Sequence, residues 1–116
     1  MQIWLLVAVT GITLCSIPGF CTAGPQPQND LEQAFYDMGV IGYCGLSTDA
    51  ASAGFRRELE RVVERGKINE QEFRAARNRA ITMVQLEWDN RGLGGFRGWC
   101  RTEGAAAVKR FLAAPQ

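Results

Sequence analysis

Four cysteines and no histidine constrain this 116-residue chain more than any other feature of its sequence. Cys15 and Cys21 fall in an N-terminal segment that reads as an export signal. Residues 3–17, IWLLVAVTGITLCSI, carry no charge, and Pro18 and Gly19 then break any helix. Cys21 and Ala23 satisfy the small-x-small rule for cleavage after Ala23, although the only positive group ahead of the apolar run is the amino terminus. The run is short for a transmembrane helix, which needs about 20 residues. Leu14 before Cys15 and Phe20 before Cys21 do not suit lipidation. Residues 1–23 are therefore expected to be a cleaved signal peptide, with an uncleaved anchor as the competing reading.

Cleavage leaves an even pair, Cys44 and Cys100, bound for an oxidising compartment, periplasmic or secreted. A Cys44–Cys100 disulfide is predicted. It closes a loop of about 57 residues, which the chain-entropy treatment values at about 4 kcal/mol. That is a large share of the stability of a mature domain of about 90 residues with a modest core.

The missing histidine excludes imidazole bases, Ser-His and Cys-His nucleophile pairs and imidazole metal ligands. Two isolated cysteines cannot close a zinc site. No cofactor or metal is expected. The net charge of +1 creates no global field toward nucleic acid or anionic membrane. Apolar residues at 47% and charged residues at 22% suit a single globular domain rather than a disordered chain.

After a polar leader, residues 24–28, the pattern predicts one all-α domain over 29–116, a small bundle of about four helices. The first starts near Asn29 or Asp30, with Leu31, Phe35, Met38 and Ile41 at helical spacing and Gly45 as its stop. Gly39 and Gly42 weaken it or permit a close crossing. The second is capped by Ser47 or Thr48, carries the stripe Ala51, Phe55, Leu59 and Val62, and ends with Gly66 at C′. The third has Asn69 and Glu72 at capping-box spacing and Ile68 and Phe73 at staple positions. Its face is Phe73, Ala76, Ala80, Val84 and Trp88, and it runs to about Trp88 or Asn90. Four glycines, Gly92, Gly94, Gly95 and Gly98, argue for a bend rather than a regular helix. Thr102 then caps a last helix that buries Val108, Phe111 and Leu112. No alternating strand or internal repeat is present.

The stretch DNRGLGGFRGWCRTEG, residues 89–104, is the candidate site. It reads first as a tethered structural loop in which Phe96 and Trp99 plug the core, and second as a recognition loop. Single and short, it lacks the repeats of arginine-glycine RNA-binding tails, and nucleic acid is not expected as a partner. Arg91, Phe96, Arg97 and Trp99 are the candidate contact residues, because arginine and tryptophan dominate interface energetics. The Arg57, Arg61 and Arg65 ridge is interspersed with Glu58, Glu60 and Glu64, and pairs such as Arg56–Glu60 make it a solvated face.

The sequence favours a non-enzymatic exported protein that binds a protein partner or an envelope component. A small hydrolase of envelope polysaccharide is the alternative, with Glu32, Asp37, Glu87, Asp89 and Glu103 as candidate carboxylates. A membrane-anchored accessory subunit that retains residues 1–23 is the third reading. A calcium loop near residues 66–73 is rejected because ELERVVER, residues 58–65, supplies no preceding oxygen ligands.

Overall fold

Helix starts in this chain are set by side chains that accept from otherwise unpaired backbone amides. In the computed structural model, which describes residues 26–115, Asn29 Oδ1 accepts from the Glu32 amide at 2.9 Å and opens α1, Asp30–Tyr43. Thr48 Oγ1 accepts from the Ala51 amide at 3.1 Å and opens α2, Asp49–Gly66. Asn69 Oδ1 accepts from the Glu72 amide at 2.8 Å and opens α3, Glu70–Asn90. These three expected caps are thus in place, and no strand occurs among the described residues. The proposed signal segment, 1–23, lies outside them.

The end of α2 differs from expectation. Gly66 is the last residue of α2, and the left-handed position falls on Lys67, with φ 48° and ψ 46°. The Ile68 amide donates to the Val63 carbonyl at 3.1 Å, closing a Schellman-type turn around Lys67. Ile68 folds back over Gly66 to reach the core, so the stop is set by burying Ile68 rather than by where the glycine stands.

The glycine-rich stretch also departs from expectation. Gly92–Trp99 is an α-helix, α4, with Gly94 at φ +84°, a conformation that favours glycine. It continues without a cap through a π-helical segment, Cys100–Gly104, into α5, Ala105–Leu112. Thr102 therefore caps nothing. Its hydroxyl donates back to the Gly98 carbonyl at 2.9 Å, inside the continuous rod. The π turn, closed by the Ala105 amide on the Cys100 carbonyl, absorbs one extra residue. Trp99 and Gly104, five residues apart, can then both face the core. Leu112, expected to be buried, is 56% exposed, because Phe111 takes the inward position.

The result is an all-helical bundle of four rods with α1 at its centre. The α3 helix packs along α1, α2 packs on α1 and α5, and the π segment and α5 close the remaining side. Four phenylalanines tie the rods together edge to face. Phe73 meets Phe35 at 5.1 Å, Phe35 meets Phe55 at 5.8 Å, and Phe55 meets Phe111 at 5.6 Å. Each such contact adds about 0.5–1.5 kcal/mol beyond area burial. The backbones approach closely where Gly54 faces the Phe111 carbonyl and where Gly39 faces Val84. Gly42, by contrast, faces open space.

Two charges lie in this core. Glu32 and Asp37 are 1% and 2% exposed, on different sides of α1. Arg79 of α3 donates to Glu32 Oε2 at 3.0 Å. Arg110 of α5 grips both oxygens of Asp37, at 2.7 and 2.6 Å, and the Gln33 amide adds a bond of 2.8 Å. Buried carboxylates need such partners, since an uncompensated charge in the core costs several kcal/mol. Hydrogen bonding to these carboxylates raises both arginines above the ordinary arginine value.

Candidate functional site

Cys44 and Cys100 lie at disulfide distance, with Cα atoms 5.5 Å apart and sulfurs 2.03 Å apart. One cysteine ends α1 and the other starts the π segment, so the bridge pins the end of α1 to the α4–α5 rod. An added Cβ on Gly104 would lie 2.9 Å from the Leu46 Cδ1 methyl and 3.4 Å from the Cys44 sulfur, so a side chain there would make Leu46 shift.

The bridge draws its sequence neighbours into one aromatic cluster. Tyr43 stacks on Trp88 at 5.0 Å, Trp88 on Phe96 at 5.1 Å, and Trp99 approaches Trp88 at 6.3 Å. The Arg91 guanidinium lies 5.0 Å over the Trp99 ring and pairs with Glu87. Of the four candidate contact residues, Arg91, Phe96 and Trp99 therefore meet here. Trp99 is only 5% exposed and acts as a core plug, while Phe96 and Arg91 are partly buried. Arg97 is exposed and takes no part in the ion pairs of the described residues.

Tyr36 lies beside this cluster. Burial pushes its phenol above the ordinary value of 10.0, the charges of Glu87 and Glu103 add to the rise, and the Trp99 indole and Arg91 oppose it. The Trp99 Nε1 is buried without a partner in hydrogen-bond geometry. The Arg91 Nε is likewise buried without a partner.

Sequence reasoning did not assign Tyr43, Trp88 and Tyr36 to this site. For Tyr43 a signal was available: it precedes Cys44 as Trp99 precedes Cys100, so the predicted bridge brings their segments together.

A second concavity, about 290 Å³, lies between the start of α1, α2 and the end of α5. Asp30, Asp37 and Glu58 line it with Arg110. Asp37 is engaged by Arg110, and both Glu58 oxygens accept from Arg61, at 2.9 and 2.5 Å. Asp37 thereby joins α1 to α5, whereas the Glu58–Arg61 pair lies within α2. The Glu58–Arg61 pair also supplies the charge compensation that the sequence assigned to Arg56–Glu60. Among the described residues no group of histidine, cysteine, aspartate and glutamate could hold a metal ion. No helix among them is long and apolar enough to cross a membrane.

No protein-family model, curated protein or solved structure matches this chain.

Proposed function

We propose that this is an exported binding or accessory protein of non-enzymatic type that contacts a protein partner or an envelope component. Its contact surface is the bridge end of the bundle. The observation that supports this reading is the Tyr43–Trp88–Phe96 pile, held by the Cys44–Cys100 pair, with Tyr43 41% exposed and Arg97 open beside Phe96. Rigid aromatic rings with an adjacent arginine suit an interface, because they offer contact area at little entropic cost. Cysteines at bonding distance fit an oxidising compartment, periplasmic or extracellular. The export reading also expects the natural chain to begin at Gly24, which mass spectrometry of its N-terminus checks; a chain still carrying residues 1–23 supports the anchored reading instead.

The site is tested by placing a photo-crosslinking amino acid at Tyr43, Arg97 or Glu60 in the producing cell. Discrete adducts from Tyr43 and Arg97, with none from the exposed Glu60 on α2, support the assignment. Adducts from Glu60 alone, or none from Tyr43 and Arg97, refute it.

A further inference from the structure

The outward face of α3 carries a charge pattern that none of the foregoing roles uses. The helix packs mainly on α1, through buried Ala76, Ala80 and Val84. Arg74, Arg77, Ile81, Gln85 and Asp89 recur at steps of three and four on its exposed side. Residues 80–86, AITMVQL, hold no charge. Ile81 and Leu86 within them are 50% and 49% exposed. The exposed side of α2 differs, since it carries Arg56, Glu60, Glu64 and Arg65. On α3 the charges stand at the two ends of the bare stretch and have opposite signs. Arg74 and Arg77 precede it, and Asp89 follows it. Arg77 and Asp89 take part in no ion pair among the described residues. Arg74 pairs only with Glu70, and both side chains are mostly exposed, so that pair is open to a further anion.

From this pattern we infer that two copies of the chain pair through α3, antiparallel, about a two-fold axis near Thr82. Reversal of one helix sets Asp89 of each copy beside Arg74 and Arg77 of the other, and symmetry makes the contact twice. A parallel arrangement would set like charges together. The face therefore holds both halves of the complement, in the order that a two-fold axis requires. Arg77 and Asp89 are about 18 Å apart along the helix, and Ile81 lies near the axis, where it meets its own counterpart. Covering Ile81 and part of Leu86 supplies attraction, and the charges fix direction and register. A single helix face makes a small interface, so the pairing is reversible and belongs to the micromolar to millimolar range.

Sedimentation equilibrium of the oxidised protein, taken from micromolar to millimolar concentration, tests this. A monomer–dimer equilibrium without larger species is expected, because a two-fold contact closes on itself. Asp89→Arg should weaken it about tenfold, since two attractions become two repulsions. Arg77→Glu should weaken the parent dimer yet strengthen the D89R dimer, a reversal of sign that only direct pairing of these positions produces. Ile81→Gln should weaken it about tenfold through lost apolar cover. All three positions are exposed or half exposed, so the monomer fold should survive, which far-UV circular dichroism checks. Sodium chloride should weaken the parent dimer by screening the charged ends, a readout that needs no variant. The inference is overturned if the protein stays monomeric at millimolar concentration, if species larger than the dimer form, if salt leaves the dimer unchanged, if R77E weakens parent and D89R alike, or if the folded I81Q protein pairs as the parent does.

Discussion

Exchanging glycine for alanine at two positions should move stability in opposite directions, and the reason is visible atom by atom. A Cβ on Gly54 would stand 2.1 Å from the Phe111 carbonyl oxygen and 2.7 Å from its carbon. Ordinary contact begins near 3.4 Å, so α2 and α5 must part by roughly 1.3 Å. The obstacle is backbone and cannot rotate away. Overpacking costs about 1–3 kcal/mol, and a rigid neighbour puts Gly54→Ala near the top of that range. Alanine's better helix propensity returns about 1 kcal/mol. The net loss is about 2 kcal/mol, or roughly 8–16 °C in Tm for a domain of this size. At Gly42 nothing lies within 4 Å, so only the propensity gain remains. Because the position is in the last turn of α1, that gain is about 0.5 kcal/mol, a rise of roughly 2–4 °C. Far-UV circular dichroism melts under non-reducing conditions measure both. A G54A protein that melts at or above the parent temperature would show that α2 and α5 do not touch at this point.

Reduction of the Cys44–Cys100 bridge should remove about 4 kcal/mol, seen as a lower urea midpoint in the presence of a reductant; an unchanged midpoint would mean the bridge does not constrain the unfolded chain. Asp37→Ala should cost about 2 kcal/mol in the same assay: the carboxylate is buried, but half-exposed Arg110 recovers water once released, which places the loss below the full buried-pair range. The contribution of Tyr36 to stability should be constant below about pH 10 and fall at higher pH. Tyr36 has a folded-state pKa above its unfolded value, so its stabilisation is complete below the unfolded pKa and is lost as pH rises through the folded one. Tyr36→Phe should reduce that alkaline fall, measured by denaturant midpoints between pH 8 and 11.

What the sequence made legible was mostly local. Asn29, Thr48 and Asn69 cap the helices because a cap needs only a side-chain oxygen and an amide three residues on. The apolar stripes of α2 and α3 survive in the fold for the same reason, since spacing along one helix is enough to define a face. The two-residue cysteine arithmetic predicted a pairing that the structure places at bonding distance. What was not legible depends on partners distant in sequence. Glu32 and Asp37 were among the candidate carboxylates, and their pairing with Arg79 and Arg110, 47 and 73 residues away, appears only in the fold. The glycines of 92–98 argued for a bend, yet the segment is helical, with Gly94 alone adopting the conformation that glycine permits. Gly54 drew no notice in the sequence, because its close approach to Phe111 exists only across two rods.

The bridge encloses α2, α3 and α4 and leaves α1 and α5 as the two helices outside it. Those helices lie against each other, joined by Arg110 on Asp37. A tension applied between the chain's ends would therefore peel α1 from α3, α2 and α5, and α5 from α2, and then be carried by the sulfur–sulfur link. The enclosed residues would bear none of that load. As a mechanical element the protein has a short travel and a hard stop.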